Sequence, residues 1–325
     1  MSYSYPIEGD YLETNESNLI FDVKGLLHPV DRIISFIRFY PDDNGERIRN
    51  GTQYSKIYDI QKRYAFVRKK YPQYLFFSQQ RDLELQGVSK TDIKKVYSPN
   101  KYFNDLREKD NRNQSENNAL DLCNLIKDNS TISDSIGITG SQMVALNKED
   151  SDIDLIVYGT QNSKNLQEHI ENIYSSSNDC RRYSLSEYKS HYKFRAGGSG
   201  VRFEDFLKSE KRKLHQGKFR GIDFFIRYIK SPEDLEGGYY DFEFRNIGKI
   251  KLKARIINAD NSIFTPCSYG IDTIKLISSQ LKDLDNELEQ ISEINSYRGR
   301  FCEHAKKDEI VYIEGKLEKV IFKKK

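Results

Sequence analysis

The most telling stretch of the chain is residues 136–158, IGITGSQMVALNKEDSDIDLIVY. Ile136 and Ile138 alternate with Gly137 and Thr139, the pattern of a short strand over 135–139. Gly140–Ser141 then turns into a helix start over 142–147. Glycine lets a ligand approach the backbone closely. A serine at a helix N-cap adds a hydroxyl beside free N–H groups, an arrangement that suits phosphate. Ten residues separate Ser141 from Asp152. A second strand follows over 153–158, with Asp152, Asp154 and Ile156 on one face and Ile153, Leu155 and Val157 on the other. The two carboxylates project the same way, their Cα atoms about 6.5–7 Å apart. Aspartate is a poor strand former, so its repeated use calls for a reason. Hard divalent cations, which take oxygen ligands, supply one. Two Mg²⁺ ions roughly 3.5–4 Å apart can clamp an in-line phosphoryl displacement.

Working outward, Ala119, Leu122, Cys123 and Ile126 share one helical face and predict a helix over 114–128. Residues 163–176 and 201–215 fit amphipathic helices, the second strongly basic, and 222–229 reads as an interior strand. Alternating helix and strand indicate an α/β domain over 112–232, opened by the polar break EKDNRNQSENN at 108–118. Before it, a β-rich segment (1–111) carries expected strands at 18–24 and 32–40 and a helix at 60–70 that ends before Pro72. Short helices are expected at 91–96 and 102–111. After it, 233–325 returns to β character, with alternation over 240–244 and 249–256. A helix is expected over 271–292, where Ile271, Ile274, Leu276, Ile277, Leu281, Leu284 and Leu288 are apolar, and a terminal hairpin turning at Glu314–Gly315. Residues 19–40 and 249–270 both read strand, polar turn, strand. Either the flanks pair into one β-rich subdomain around an inserted core, or strands of similar composition coincide. The expected class is α+β, with a mixed-sheet α/β core between β-rich ends.

Composition sets the outer bounds. A chain of 325 residues suggests about two domains. With 52 Lys+Arg against 49 Asp+Glu the net charge is +3, so nucleic-acid contact would need a local patch. Cys123, Cys180, Cys267 and Cys302 lie far apart with no CxxC, against a structural zinc site or a disulfide framework. A basic-then-apolar leader and a membrane-length apolar run are both lacking, so the expected location is the cytoplasm, with no membrane partner.

The segment Gly140-Ser141, the gap, then Ser151-Asp152-Ile153-Asp154-Leu155 resembles the signature of the DNA polymerase beta-type nucleotidyltransferase superfamily. Thr139 stands where an apolar residue is usual, with Ile138 one step earlier. Members carry a third carboxylate on a later strand, and Asp223 in GIDFFI (221–226) has that look, although residues 180–215 then form an insertion. The resemblance covers about residues 115–230. It implies the nucleotidyltransferase fold for the core, metal binding by Asp152, Asp154 and Asp223, activation of an acceptor hydroxyl helped by Asp223, and a triphosphate held at Gly140 and Ser141. The whole chain also looks like archaeal nucleotidyltransferase-domain proteins with flanks similar to VKGLLHPVDRIISF (23–36), FTPCSYG (264–270) and RGRFCE (298–303). The implied activity is transfer of a nucleoside monophosphate from a triphosphate such as ATP to an acceptor hydroxyl, releasing pyrophosphate, with two Mg²⁺ (or Mn²⁺) ions.

Rival readings stand beside these. Asp241 or Glu243 could supply the third acid. Lys211, Arg212, Lys213, His215, Lys218 and Arg220 either contact phosphates, with Arg212 and Lys218 as nucleotide-binding candidates, or form a solvated helix face. RAGGSG (195–200) lacks the lysine of a P-loop and reads as a mobile loop. The acceptor is RNA, a small molecule or a protein. The alternative class is a non-catalytic module of the same fold that binds RNA or a partner.

Overall fold

The computed structural model describes residues 4–132, 134–196, 200–280 and 288–323. The chain is α+β and divides into two compact units. One comprises residues 1–79, 83–181 and 215–240, and the other 80–82, 182–214 and 241–325.

In the first unit the chain runs through β1 (Tyr11–Thr14), β2 (Ile20–Val23), β3 (Arg32–Pro41), β4 (Arg47–Arg49), β5 (Thr52–Lys56), α1 (Ile60–Lys70), β6 (Leu75–Ser78), β7 (Leu83–Ser89) and β8 (Ile93–Tyr97). These strands form one sheet, ordered β4-β5-β3-β2-β1-β8, with β7 also on β3 and β6 on β7. The β-branched and aromatic residues of 18–24 and 32–40 therefore form strands as expected, and α1 starts where Asp59 accepts the Lys62 N–H at 2.9 Å. Residues 93–96, expected in a helix, pair with β1 instead. One face of the sheet buries Phe21, Ile37 and Val88 against Val67 of α1.

Next come α2 (Pro99–Glu108), α3 (Gln114–Asp128), β9 (Ile136–Thr139), the single turn α4 (Gly140–Met143), β10 (Ile153–Tyr158), α5 (Thr160–Ser176), β11 (Cys180–Arg181), β12 (Gln216–Phe219) and β13 (Ile222–Ile229). The second sheet is mixed, ordered β11-β12-β13-β10-β9, with β10 and β13 parallel and the other pairs antiparallel. A capping box between Asn113 and Glu116 starts α3, which buries Ala119, Leu122, Cys123 and Ile126.

The two sheets of this unit share a core. Ile20, Phe39 and Tyr54 of the first pack with Met143, Val144 and Leu146, which follow β9. Ile7 and Leu26 pack with Ile156 and Ile229. The expected border at 111–112 thus falls inside a unit, because the N-terminal sheet supplies the apolar face that the motif's own short helix needs.

The second unit holds α6 (Leu185–Ala196), α7 (Phe203–Glu210), β14 (Phe242–Asn258), β15 (Cys267–Ser279), β16 (Glu293–Ser296) and β17 (Ile310–Phe322). Its sheet is antiparallel, ordered β16-β15-β14-β17. Among the described residues no strand of 11–97 pairs with one of 242–322, and the N-terminal segment meets β14 through 80–82, where the Phe244 N–H donates to the Gln80 carbonyl at 2.7 Å. Residues 271–279 are strand, not helix; of the remainder of that expected helix, 281–287 lie outside the described residues. The terminal hairpin is likewise one continuous strand, with Gly315 opposite Ile250 in mid-ladder. No helix among the described residues is long and apolar enough to cross a membrane.

Candidate active site

The turn after β9 is set by Gly140. Its φ is +77°, a conformation that L side chains rarely adopt. A Cβ at this position would also collide with the carboxylate of Asp154. Antiparallel pairing of Thr139 with Asp154 brings the two together. Thr139 Oγ1 anchors the turn by donating to the Gly9 carbonyl at 2.5 Å. Ser141 is buried in the next position, and its carbonyl accepts the Leu146 N–H at 2.9 Å.

The register of the mixed sheet places the acids. Parallel pairing matches Ile153 with Phe224 and Asp154 with Phe225. One residue back along both strands, Asp223 is level with Asp152. Residues two apart share a face, so Asp152, Asp154 and Asp223 lie on the same side of the sheet. Lys218 of β12 lies directly opposite Asp223 of β13 and holds its Oδ2 at 2.9 Å. Asp152 is exposed, whereas Asp154 is partly enclosed. Burial, and then the charge of Asp152, push the Asp154 carboxyl up to about 7, against the pull of Arg227, Lys56 and Arg38. Three oxygen-only donors on one face fit cations such as Mg²⁺. They do not form a ready-made cage: among the described residues no three His, Cys, Asp or Glu side chains gather closely enough to hold an ion. Lys218 already holds one oxygen of the Asp223 carboxylate.

The cations near the acids come from an unexpected place. Arg38 on β3 and Lys56 at the end of β5 act electrostatically on Asp154, as does Arg227 on β13. Burial opposes the charge of Arg38, and Tyr11, Asp22 and Asp154 more than offset it. Burial, then the charge of Arg38, pushes the Lys56 ammonium down to about 8. Beside Lys56 opens a recess of ≈ 390 Å³ lined by Tyr40, Tyr58, Lys62 and Phe66 among others. Sequence reasoning missed this set. Its one local signal is an arginine flanked by apolar residues within a strand, which occurs twice, in FIRFY and FFIRYI.

The basic stretch 211–220 is largely absorbed by ion pairs. Arg212, in the second unit, donates to Glu309 at 2.5 Å. Lys213 is fully buried on Glu210, and Arg220 bridges Asp121 and Asp179. Of the two expected nucleotide-binding cations, Lys218 lies at the acids, and Arg212 is held by Glu309 in the other unit. Asp241 and Glu243 also belong to the second unit, and Glu243 pairs with Arg245 and Lys323. The flank motifs hold loops: His28 Nδ1 accepts the Ile34 N–H at 3.1 Å, and Glu303 accepts the Leu214 N–H at 3.0 Å. Residues 197–199 of the glycine loop lie outside the described residues.

The chain is similar to the uncharacterized protein MJ1086 of Methanocaldococcus jannaschii, at 27% identity over 323 residues that cover 97% of this chain and 91% of that protein. No family model and no solved structure matches it.

Proposed function

We propose that this protein is a metal-dependent nucleotidyltransferase that moves a nucleoside monophosphate from a nucleoside triphosphate to an acceptor hydroxyl. The observation that carries this reading is the shared face of Asp152, Asp154 and Asp223, with the side-chain-free Gly140 set against Asp154. The three carboxylates would hold two Mg²⁺ ions, which when bound stabilise the attacking and leaving oxygens of the displacement. The acceptor oxygen forms a bond to the α-phosphorus as the bond to the bridging oxygen breaks. The electron pair leaves with pyrophosphate, and the hydroxyl proton passes to Asp223. Gly140 and Ser141 would present the turn that faces phosphate beside the acids. Lys56, Arg38 and Lys218 offset charge there, and the recess beside Lys56 offers aromatic walls to a base or an acceptor.

The test incubates the protein with each α-labelled nucleoside triphosphate, Mg²⁺ or Mn²⁺, and total RNA or a protein extract. Label transfer lost in Asp154→Ala supports the reading. Identical behaviour of wild type and variant across all four nucleotides and both acceptor pools refutes it. The Lys218–Asp223 ion pair favours a second reading, a non-catalytic module of the same architecture. In that case Lys218→Ala leaves the protein as inactive as before, whereas an enzyme would change its metal dependence.

A further inference from the structure

The sheet of the second unit has two unlike faces. Inward, Ile250, Leu252, Ala254 and Ile256 of β14 pack on Cys267, Tyr269 and Ile271 of β15. Outward, the alternate residues of β14 are Lys249, Lys251, Lys253 and Arg255, a row of cations about 6.5–7 Å apart. The neighbouring strands extend the row sideways. Lys249 faces Lys316 of β17, and Lys253 lies between Lys275 of β15 and Tyr312 of β17. Like charges directly opposite destabilise a sheet, and the core behind this one needs only the inward residues. The acids on the face are Asp272, Glu293, Glu314 and Glu318. Glu314 pairs with Lys251 at 3.0 Å and Glu318 with Lys316 at 2.5 Å. Six cations thus stand against four acids on this one face. Among the described residues Lys249, Lys253 and Lys275 make no ion pair, and Arg255 stands opposite Asp272. In their midst the Tyr312 ring is 75% exposed, with Lys253 Nζ 5.8 Å from its centre.

We propose that this outward face binds single-stranded RNA, its cations on backbone phosphates and Tyr312 stacked on a base. A cation row alone would suit any polyanion. A bare aromatic ring on a sheet among lysines matches the way single strands are held, where bases stack on aromatic side chains while phosphates run along basic residues. Carboxylates and lipid headgroups carry no aromatic face on which that ring would stack. The proposal stands on this face alone and does not depend on nucleotidyl transfer.

The test measures fluorescence anisotropy of a labelled oligouridine of about 12 nucleotides with the full-length protein over a range of salt. Wild type should bind, with affinity falling steeply as salt rises. The Lys249→Gln, Lys253→Gln, Lys275→Gln triple variant should lower the log–log salt slope by about 2. Tyr312→Ala should weaken binding about fivefold or more at fixed salt with little change in slope. Asp154→Ala should bind as wild type does, which separates this proposal from the catalytic one. Circular dichroism melting confirms that each variant is folded, and Lys253→Arg should retain binding. No binding at low salt overturns the proposal. So does unchanged affinity in both folded variants, or equal binding of polyglutamate or phosphatidylserine vesicles that the same variants abolish.

Discussion

Asp10 and Glu13 sit three residues apart near the start of the chain and are pushed in opposite directions. Burial lifts Asp10 to about 7, with the Ile7 N–H pulling the other way. Burial would also raise Glu13, but hydrogen bonds from Tyr97, Arg49 and Lys94 hold it at about 2. The signs follow from linkage. Asp10 favours the folded state below its unfolded pKa of about 4, and that contribution is lost as pH rises through about 7. Glu13 contributes above its unfolded value and loses that contribution as pH falls toward about 2. Glu13→Gln should therefore cost on the order of 3 kcal/mol at pH 7, a penalty that shrinks below about pH 4. Asp10→Asn should stabilise at pH 8 and change little at pH 4. Urea unfolding across pH measures both, and a pH-independent penalty for Glu13→Gln would show that packing, not charge, sets its role. Gly140 is the other decisive single residue. Gly140→Ala should destabilise by about 1–2 kcal/mol through its positive φ, and should remove nucleotidyl transfer by displacing the Asp154 carboxylate. A transfer rate near that of wild type would break the proposed link between this glycine and the site.

Elements bounded by local signals were legible from sequence. β13 occupies 222–229 and α3 occupies 114–128, as their apolar patterns and flanking residues indicate. Of the misread elements, β15 is the longest stretch expected to be helical. Its pairing with β14 shifts register more than once, so Ile271 and Leu276 turn inward while Ile274 and Ile277 face out. Bulges break the period of two and leave a spacing that imitates a helix. The run of β-branched residues Ile271, Thr273, Ile274 and Ile277 was the better signal. The carboxylate motif was legible because its geometry is local to one strand. Its cations were not, because Arg38 and Lys56 arrive through another sheet and the partners of 211–220 lie far along the chain. The polar stretch 108–118 reverses its expected role for the same reason. Arg112 donates to the Leu106 carbonyl at 3.0 Å, Lys109 pairs with Glu116 at 2.7 Å, and the capping box starts α3. Limited proteolysis should therefore spare 108–118. Early cleavage there would show that these contacts do not hold the loop.

At the scale of the molecule, the chain passes between its two units several times rather than running through them in tandem. Residues 182–214 belong to the second unit, and 210–214 take partners from beyond residue 298. Lys213 reaches the Arg300 carbonyl at 2.5 Å, the Leu214 N–H reaches Glu303, and Arg212 reaches Glu309. Glu210 and Lys213 are almost wholly buried, and removing what covers a buried ion pair exposes charge and orphaned partners together. A chain cut after Tyr240 keeps every strand of the two sheets in the first unit but strips 182–214 of those partners. In that truncated protein, protease with mass spectrometry should cut first within 182–214, while 4–181 stays protected by a core to which residues 7–39 and 136–158 both contribute. The same mild digestion of the intact chain should leave 203–214 uncut. If both proteins resist equally over 182–214, that segment holds itself together and the C-terminal residues are not its support. If residues 4–181 are degraded as fast as 182–214, the first unit lacks the independent core that its shared packing indicates.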